Sequence, residues 1–162
     1  MEYKEIPLTQ GKVALVDAED YAYLSQWKWH AMKQKNGIYY AVRNIVKDGK
    51  QTTIRMHREI MKTPKGMDTD HTNGNGLDNR KENLRICAHS QNQKNCKKYN
   101  NNSSGYKGVC WHTRDKKWAV GIQMNGEKIY LGLYVTKEKA AIAYNEAAKK
   151  LFGEYARLNI IK

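Results

Sequence analysis

The sequence lacks any apolar run near the roughly 18 residues that a membrane span needs. No hydrophobic stretch follows Met1-Glu2-Tyr3-Lys4-Glu5, so neither a membrane partner nor a signal peptide is expected. Cysteine is scarce. Cys87, Cys96 and Cys110 form no CxxC pair, and an odd count without a secretory signal fits a reducing, cytoplasmic setting rather than a disulfide scaffold. Cys87, His89 and Cys96 lack the paired spacing of a zinc site. No close internal repeat is present. Acidic residues are few beside basic ones: 16 Asp and Glu against 29 Lys and Arg leave a formal net charge of +13. Such an excess calls for a polyanionic partner, either nucleic acid or an anionic surface.

What is present is globular. Hydrophobic residues make up 40% and charged residues 28% of 162 positions, enough for one compact domain or two small ones. The charge is uneven. Residues 1–66 hold 12 Lys and Arg against 7 Asp and Glu, residues 67–104 hold 6 against 4, and residues 105–162 hold 11 against 5. The middle stretch is therefore the least basic, as a cation site between phosphate-gripping flanks requires.

Residues 1–53 predict a small antiparallel sheet. Extended segments run from Lys4 to Asp17 around a turn at Gln10-Gly11. A short helix is expected from Asp17 to Leu24, with its acids at the positive end. Trp27, Trp29 and Ala31 alternate with polar residues as in a half-buried strand, so the tryptophans read as core. Tyr39–Val46 and Gln51–Met56 flank Asp48-Gly49, a strong hairpin turn. His57 to Met61 suits a helical turn, broken at Pro64-Lys65-Gly66. His57 and Arg58 could touch phosphate there, or pack and solvate the end of the sheet.

The stretch from Asp68 to Arg85 organises the rest. It opens extended, passes through a glycine- and asparagine-rich loop, and returns as a second short strand at Asn83-Leu84-Arg85-Ile86. Ser90 is placed to cap a helix carrying Asn92 and Asn95. A strand, loop, strand and helix of this size can gather a carboxylate, an imidazole and two amides. Phosphodiester hydrolysis needs a nucleophilic water, a metal to offset phosphate charge, and stabilisation of the leaving oxygen. His71 could take the water's proton. Asn83 could bond the His71 ring and orient it, and Asn92 could offer an amide oxygen to the metal. Asp70 and His71, adjacent on a strand, point to opposite faces unless the strand ends there. Hard oxygen ligands with few protein groups suit Mg²⁺, with Mn²⁺ as the alternative. From the residues alone, a solvated turn remains the competing reading.

The segment His57-Arg58, Asp70-His71, Asn73-Gly74-Asn75, Asn79 through Arg85, and Asn92 resembles the HNH nuclease motif, closest to the H-N-N variant of phage-type homing endonucleases. The resemblance covers about residues 54–96 and implies a ββα-metal unit. It assigns His71 as general base, Asn83 as the residue orienting it, and Asp70 and Asn92 as metal ligands. Asn92 stands where the last His of the stricter form is often found. His57, Arg58 and Arg85 are then expected on nucleic acid.

Past Tyr99, the run Asn100-Asn101-Asn102-Ser103-Ser104-Gly105 reads as a linker. Beyond it, Lys107–Trp111, the alternating Trp118–Gln123 and the stretch Lys128–Leu133 after Asn125-Gly126 predict a three-stranded antiparallel sheet. Thr136 should cap a helix running to about Leu151, ended by Gly153. That helix should cover Trp118, Val120, Ile122, Ile129, Leu131 and Leu133, leaving Gln123, Lys128 and Tyr130 open. Gly105-Tyr106-Lys107-Gly108-Val109, Lys117-Trp118-Ala119, Tyr130-Leu131-Gly132, Ala140 through Tyr144, and Arg157-Leu158-Asn159 resemble the AP2 DNA-binding domain. That family sets its sheet in the major groove with the helix behind, which implies Lys107, Gln123, Lys128 and Tyr130 as base- or phosphate-facing.

The expected class is α+β: an N-terminal antiparallel sheet leading into a ββα-metal (HNH) unit within residues 1–99, a linker at 100–105, and an AP2-like sheet and helix at 106–162. The expected protein is a monomeric, cytoplasmic, metal-dependent endonuclease acting on double-stranded DNA in a phage or bacterial host. The alternative is a non-catalytic AP2-like DNA-binding protein.

Overall fold

The structure, a computed structural model, describes residues 2–96 and 102–161. It is a mixed α and β protein of several small antiparallel sheets and few helices. The chain divides into two compact units, Met1–Asn92 and Gln93–Lys162.

In the first unit, β1 (Tyr3–Pro7) and β2 (Val13–Asp17) pair around the Gln10-Gly11 turn, and α1 (Ala18–Leu24) follows with Glu19 and Asp20 in its first turn. The expected single N-terminal sheet is in fact two. A separate three-stranded sheet is built from β3 (His30–Lys33), β4 (Tyr39–Lys47) and β5 (Lys50–Arg55), in that order. Trp27 and Trp29 precede β3 rather than lying in it. The Trp29 indole N–H donates to the Leu24 carbonyl (2.8 Å), satisfying an orphan acceptor at the end of α1. Trp29 belongs to the core with Ile6, Ala14, Val16, Leu24, Ala41 and Met56, and the half-buried Trp27 packs against it. Met56, expected as the end of a strand, starts α2 (Met56–Met61).

Next come β6 (Asp68–His71) and β7 (Leu84–Cys87), an antiparallel pair in which Asp70 faces Arg85 and His71 faces Leu84. A 3₁₀ turn at Lys81–Asn83 leads into β7, so Asn83 lies just outside the strand. The short α3 (His89–Asn92) follows. Its start is fixed by Gln91, whose Oε1 accepts from the Ala88 N–H (2.8 Å), and not by Ser90, which lies inside the helix. Asn95 falls in a separate 3₁₀ turn at Gln93–Asn95.

The loop between β6 and β7 is stitched to the N-terminal hairpin. Leu15 N–H donates to the Leu77 carbonyl (2.9 Å), and Asn79 N–H donates to the Leu15 carbonyl (2.8 Å). Asp17 Oδ2 accepts from the Lys81 N–H (2.8 Å). Thus β2 has β1 on one edge and this loop on the other.

The second unit carries β8 (Val109–His112), β9 (Lys117–Met124) and β10 (Glu127–Tyr134), in the order β10-β9-β8, with α4 (Lys137–Phe152) packed on them. Thr136 caps α4 by accepting from the Lys139 N–H (3.2 Å), and Gly153 ends it. Val109, Val120, Ile122, Ala140, Ala141, Tyr144 and Ala148 form the core. Gly108 has φ +77°, and a Cβ there would stand 2.1 Å from the Tyr144 ring and 2.8 Å from the Gly121 carbonyl, so glycine is required.

The expected helix-facing set is corrected on β10. A bulge between Tyr130 and Gly132 shifts the register, so Tyr134 pairs with Trp118 and Leu133 with Ala119. The extra residue reverses the alternation: Leu131 and Tyr134 pack into the core, Leu133 does not, and Ile129 is 38% exposed near the hairpin end. Of the expected linker, Asn100 and Asn101 lie outside the described residues, as does Tyr99 before it. The remainder, from Asn102, is folded. Ser104 is buried, and its hydroxyl lies within hydrogen-bonding distance of the Asn102 side chain and the Tyr106 and Val109 carbonyls.

Candidate active site

The centre of the first unit is His71, 4% exposed at the end of β6. Its Nε2 lies 3.2 Å from Asn79 Oδ1. Asn79 Nδ2 donates to the Leu77 carbonyl, so Oδ1 is the acceptor and His71 Nε2 carries the hydrogen. Nδ1 is then the basic nitrogen of the neutral ring. Burial pulls the His71 pKa below its ordinary 6.5, opposed by the Asn79 bond and by the charges of Asp70 and Asp78, so the ring is neutral at pH 7.

This corrects the expected role of Asn83. Its amide does not reach the imidazole. Oδ1 accepts from Thr72 Oγ1 (2.8 Å) and the Asn73 N–H (3.0 Å), and Nδ2 donates to the Asp78 carbonyl (2.8 Å). Asn83 therefore locks the loop, and Asn79 holds the ring. Asn73 and Asn75 each turn the backbone by accepting from the N–H two residues on. Asp78 receives Asn73 Nδ2 (2.9 Å) and two nitrogens of Arg80 (2.8 Å each), which lower its pKa. Gly76 brings this loop against the sheet: a Cβ there would stand 2.4 Å from the Tyr39 carbonyl and 2.7 Å from the Tyr40 ring. Tyr40, His57 and His71 then form one aromatic cluster, with His57 and His71 ring centroids 5.0 Å apart.

The acidic side of β6 differs from expectation. Across the pair Asp70 stands opposite Arg85, and His71, where the strand ends, stands opposite Leu84. The buried Asp70 carboxylate receives Arg85 Nη2 (2.6 Å) and Nε (3.0 Å). Arg85, expected on DNA, is thus in a cross-strand ion pair. Asn92 bonds Asp68 (Nδ2 to Oδ2, 3.0 Å), and His89 Nδ1 donates to the same oxygen (2.8 Å). These two bonds, Asn92 first, hold the Asp68 carboxyl below its usual range. Asp68 was missed from the sequence although it shares Asp70's face by the two-residue period.

Among the described residues no cluster of three or more His, Cys, Asp or Glu could hold a metal. What β6 and α3 offer is two carboxylates, Asp68 and Asp70, and the Asn92 amide. A hard-oxygen set this small fits Mg²⁺ or Mn²⁺ completed by waters and phosphate.

Two further expected contacts are engaged elsewhere. Arg58 Nη1 donates to the Met67 carbonyl (2.8 Å) and Nη2 to that of Pro64 (3.4 Å), pinning the turn before β6. Lys107 Nζ donates to the carbonyls of Lys94 and Cys96 (2.8 Å each), and burial lowers its pKa to about 8. His57 is 5% exposed, and burial, then His71, pull its pKa down to about 3. Gln123, Lys128 and Tyr130 stand exposed on the sheet face away from α4, where Gly121 leaves room for the Lys128 chain to lie across β9.

A family model described as HNH endonuclease matches residues 62–94. An uncharacterized HNH endonuclease, L560 of Acanthamoeba polyphaga mimivirus, is 28% identical over 158 residues, covering 94% of this chain and 77% of that protein. Protein 3.8 of Escherichia phage T7 is 31% identical over 94 residues, 58% of this chain and 77% of that protein. Dehydration-responsive element-binding protein 2D of Arabidopsis thaliana is 42% identical over 62 residues, 37% of this chain and 30% of its own length. No solved structure matches the chain significantly. No helix among the described residues is long and apolar enough to cross a membrane.

Proposed function

We propose that this chain, which belongs to the HNH endonuclease family, hydrolyses phosphodiester bonds in double-stranded DNA with a divalent metal ion, Mg²⁺ first. The observation that carries this reading is the buried, neutral His71, its ring held by the bond from Nε2 to Asn79. His71 Nδ1 takes a proton from the attacking water. The new oxygen–phosphorus bond forms as the opposite phosphorus–oxygen bond breaks, and the leaving oxygen takes a proton from solvent. Asp70, beside it on the strand, raises the ring's proton affinity through its charge. Asn83 keeps the loop from moving the ring. Asp68, Asp70 and Asn92 would hold the ion, with Arg85 leaving the Asp70 carboxylate. When bound, the ion offsets phosphate charge and stabilises the leaving oxygen.

The H-N-N spacing of His71, Asn83 and Asn92 supports a phage-type homing endonuclease. The AP2-like resemblance supports duplex binding by the second unit, with Gln123, Lys128 and Tyr130 on DNA. The Arg85 guanidinium on Asp70 favours a second reading, a DNA-binding protein whose acidic site stays closed.

Supercoiled plasmid incubated with Mg²⁺, Mn²⁺ or EDTA separates the two. The first reading expects metal-dependent conversion to open-circle or linear DNA, reduced by about 10²-fold or more in His71→Ala with duplex binding kept. Conversion at the wild-type rate in that variant removes His71 from the mechanism. Binding without scission under either metal supports the second reading.

A further inference from the structure

A cleft of about 190 Å³ is lined by two groups that the mechanism above leaves unused, Arg55 and His57, the latter with its ring against that of His71. Arg55 is the last residue of β5 and is exposed, and no hydrogen bond or ion pair to a described residue engages its guanidinium. The contrast with Arg58 is direct, since that side chain is held by two carbonyls. His57, the second residue of α2, lines the same cleft at 5% exposure, and its Nδ1 has no hydrogen-bond partner. A buried imidazole nitrogen without a partner is costly, and a ligand drawn to the ring would offset that cost. The amides of Gln34, Asn36 and Asn92 also reach the cleft. Asp68 is the one carboxylate in the lining, and its Oδ2 is already engaged by Asn92 and His89.

We propose that Arg55 and His57 form the seat for the phosphodiester group that His71 helps to cleave. A phosphodiester presents two non-bridging oxygens sharing one negative charge. A guanidinium fork and an imidazole N–H are matched donors for that pair. With ring centroids 5.0 Å apart, a phosphate held by His57 is a neighbour of the water that His71 would activate. Burial keeps His57 neutral, so it acts as a hydrogen-bond donor while Arg55 supplies the charge. The proposal rests on the nuclease reading for the identity of the seated group, but the seat can be tested without cleavage.

The test is a titration of the full chain, ¹⁵N-labelled at histidine, with inorganic phosphate, followed by NMR. Wild type, Arg55→Ala, His57→Gln and the charge-matched control Lys50→Ala are compared. The His57 ring signals, identified by their loss in His57→Gln, should shift on titration. Arg55→Ala should weaken phosphate binding by about tenfold or more, with Lys50→Ala unchanged. His57 signals that stay still at saturating phosphate, or Arg55→Ala binding like wild type, overturn the seat. Because Arg55 is exposed, its variant remains informative even where His57→Gln fails to fold. Plasmid cleavage is assayed in parallel. Equal metal-dependent cleavage by wild type and Arg55→Ala removes the seat and leaves the nuclease reading intact. No cleavage by wild type, with phosphate binding lost in Arg55→Ala, removes the nuclease reading and keeps the seat as a DNA-phosphate contact.

Discussion

The two units bury different things. Of the ten buried polar or charged side chains among the described residues, only Asn95 and Ser104 belong to the second unit; the first holds His57, Asp70, His71, Asp78, Asn79, Asn83, Asp17 and Thr69. The second unit's core is valine, isoleucine, alanine and tyrosine, and its polar groups stand on the open face of its sheet. Burying polar groups is costly unless each finds a partner. The first unit accepts that cost to fix side chains for chemistry. The second presents a surface on a well-packed base, as a binding module requires.

The largest expected effects come from the two tight glycines. Gly108→Ala drives a methyl into the Tyr144 ring at a positive φ, and Gly76→Ala drives one into the Tyr39 carbonyl and the Tyr40 ring. Each should lower stability by about 3 kcal/mol or more in urea unfolding. Gly76→Ala should impair cleavage more than DNA binding, since Tyr40 would be pushed toward His57 and His71, and Gly108→Ala should impair binding more than cleavage. The same loss of both activities in both variants would break the division between the units.

Asn79→Ala comes next. It leaves the His71 N–H without its acceptor at a position fully shielded from water, which should lower stability by about 2 kcal/mol. Cleavage should fall by about tenfold or more, because the ring's tautomer loses its fixed partner. Cleavage at the wild-type rate would return the orienting role to another residue.

A comparable effect is expected from pH. His57 titrates near 6.5 when unfolded and near 3 in the fold. As pH falls below 6.5 the unfolded chain takes up the proton first. The stabilising contribution is therefore complete above 6.5 and is lost progressively down to about 3. Between pH 7 and pH 5 the loss should be on the order of 2 kcal/mol, and His57→Gln should flatten that slope. His71, also lowered, acts in the same direction, and the acid limb of the cleavage profile should have its midpoint below 6.5.

Lys81→Ala is the smallest. Its ammonium meets Glu19 (2.6 Å) and Asp20 (3.0 Å) where solvent screens the charges, and its removal should cost less than about 1 kcal/mol. A larger loss would mean that this exposed pair helps to hold the β6–β7 loop.

The local signals of the sequence are the legible ones. Asn125-Gly126 and Asp48-Gly49 turn between paired strands, Thr136 caps its helix, and the pairing of β6 with β7 follows the expected extended segments. These features depend on residues a few positions apart. The site's internal wiring does not. Four asparagines, Asn73, Asn75, Asn79 and Asn83, stand in or beside one loop, and their chemistry is identical. Which amide meets His71 is decided by the path of the loop across β2 and past Tyr40, contacts tens of residues away in sequence. Arg55 and Arg58 are likewise equal as letters, and only the turn at Pro64–Met67 separates the engaged side chain from the open one. The bulge in β10 was hidden because Tyr130, Leu131, Gly132, Leu133 and Tyr134 alternate as well in one register as in the other.

The backbone seam between Leu15 and the Leu77–Asn79 segment bears on how such a nuclease can be inherited. The stretch that matches the family model, residues 62–94, does not contain its own support. Excised and grafted alone, it would arrive with the carbonyl of Leu77 and the N–H of Asn79 unmatched, and with Asn79, which holds the His71 ring, free to drift. The hairpin at the N-terminus must travel with it. The piece that carries its own support is therefore the first unit, and a cut between β5 and β6 would pass on the signature without the backbone that holds it.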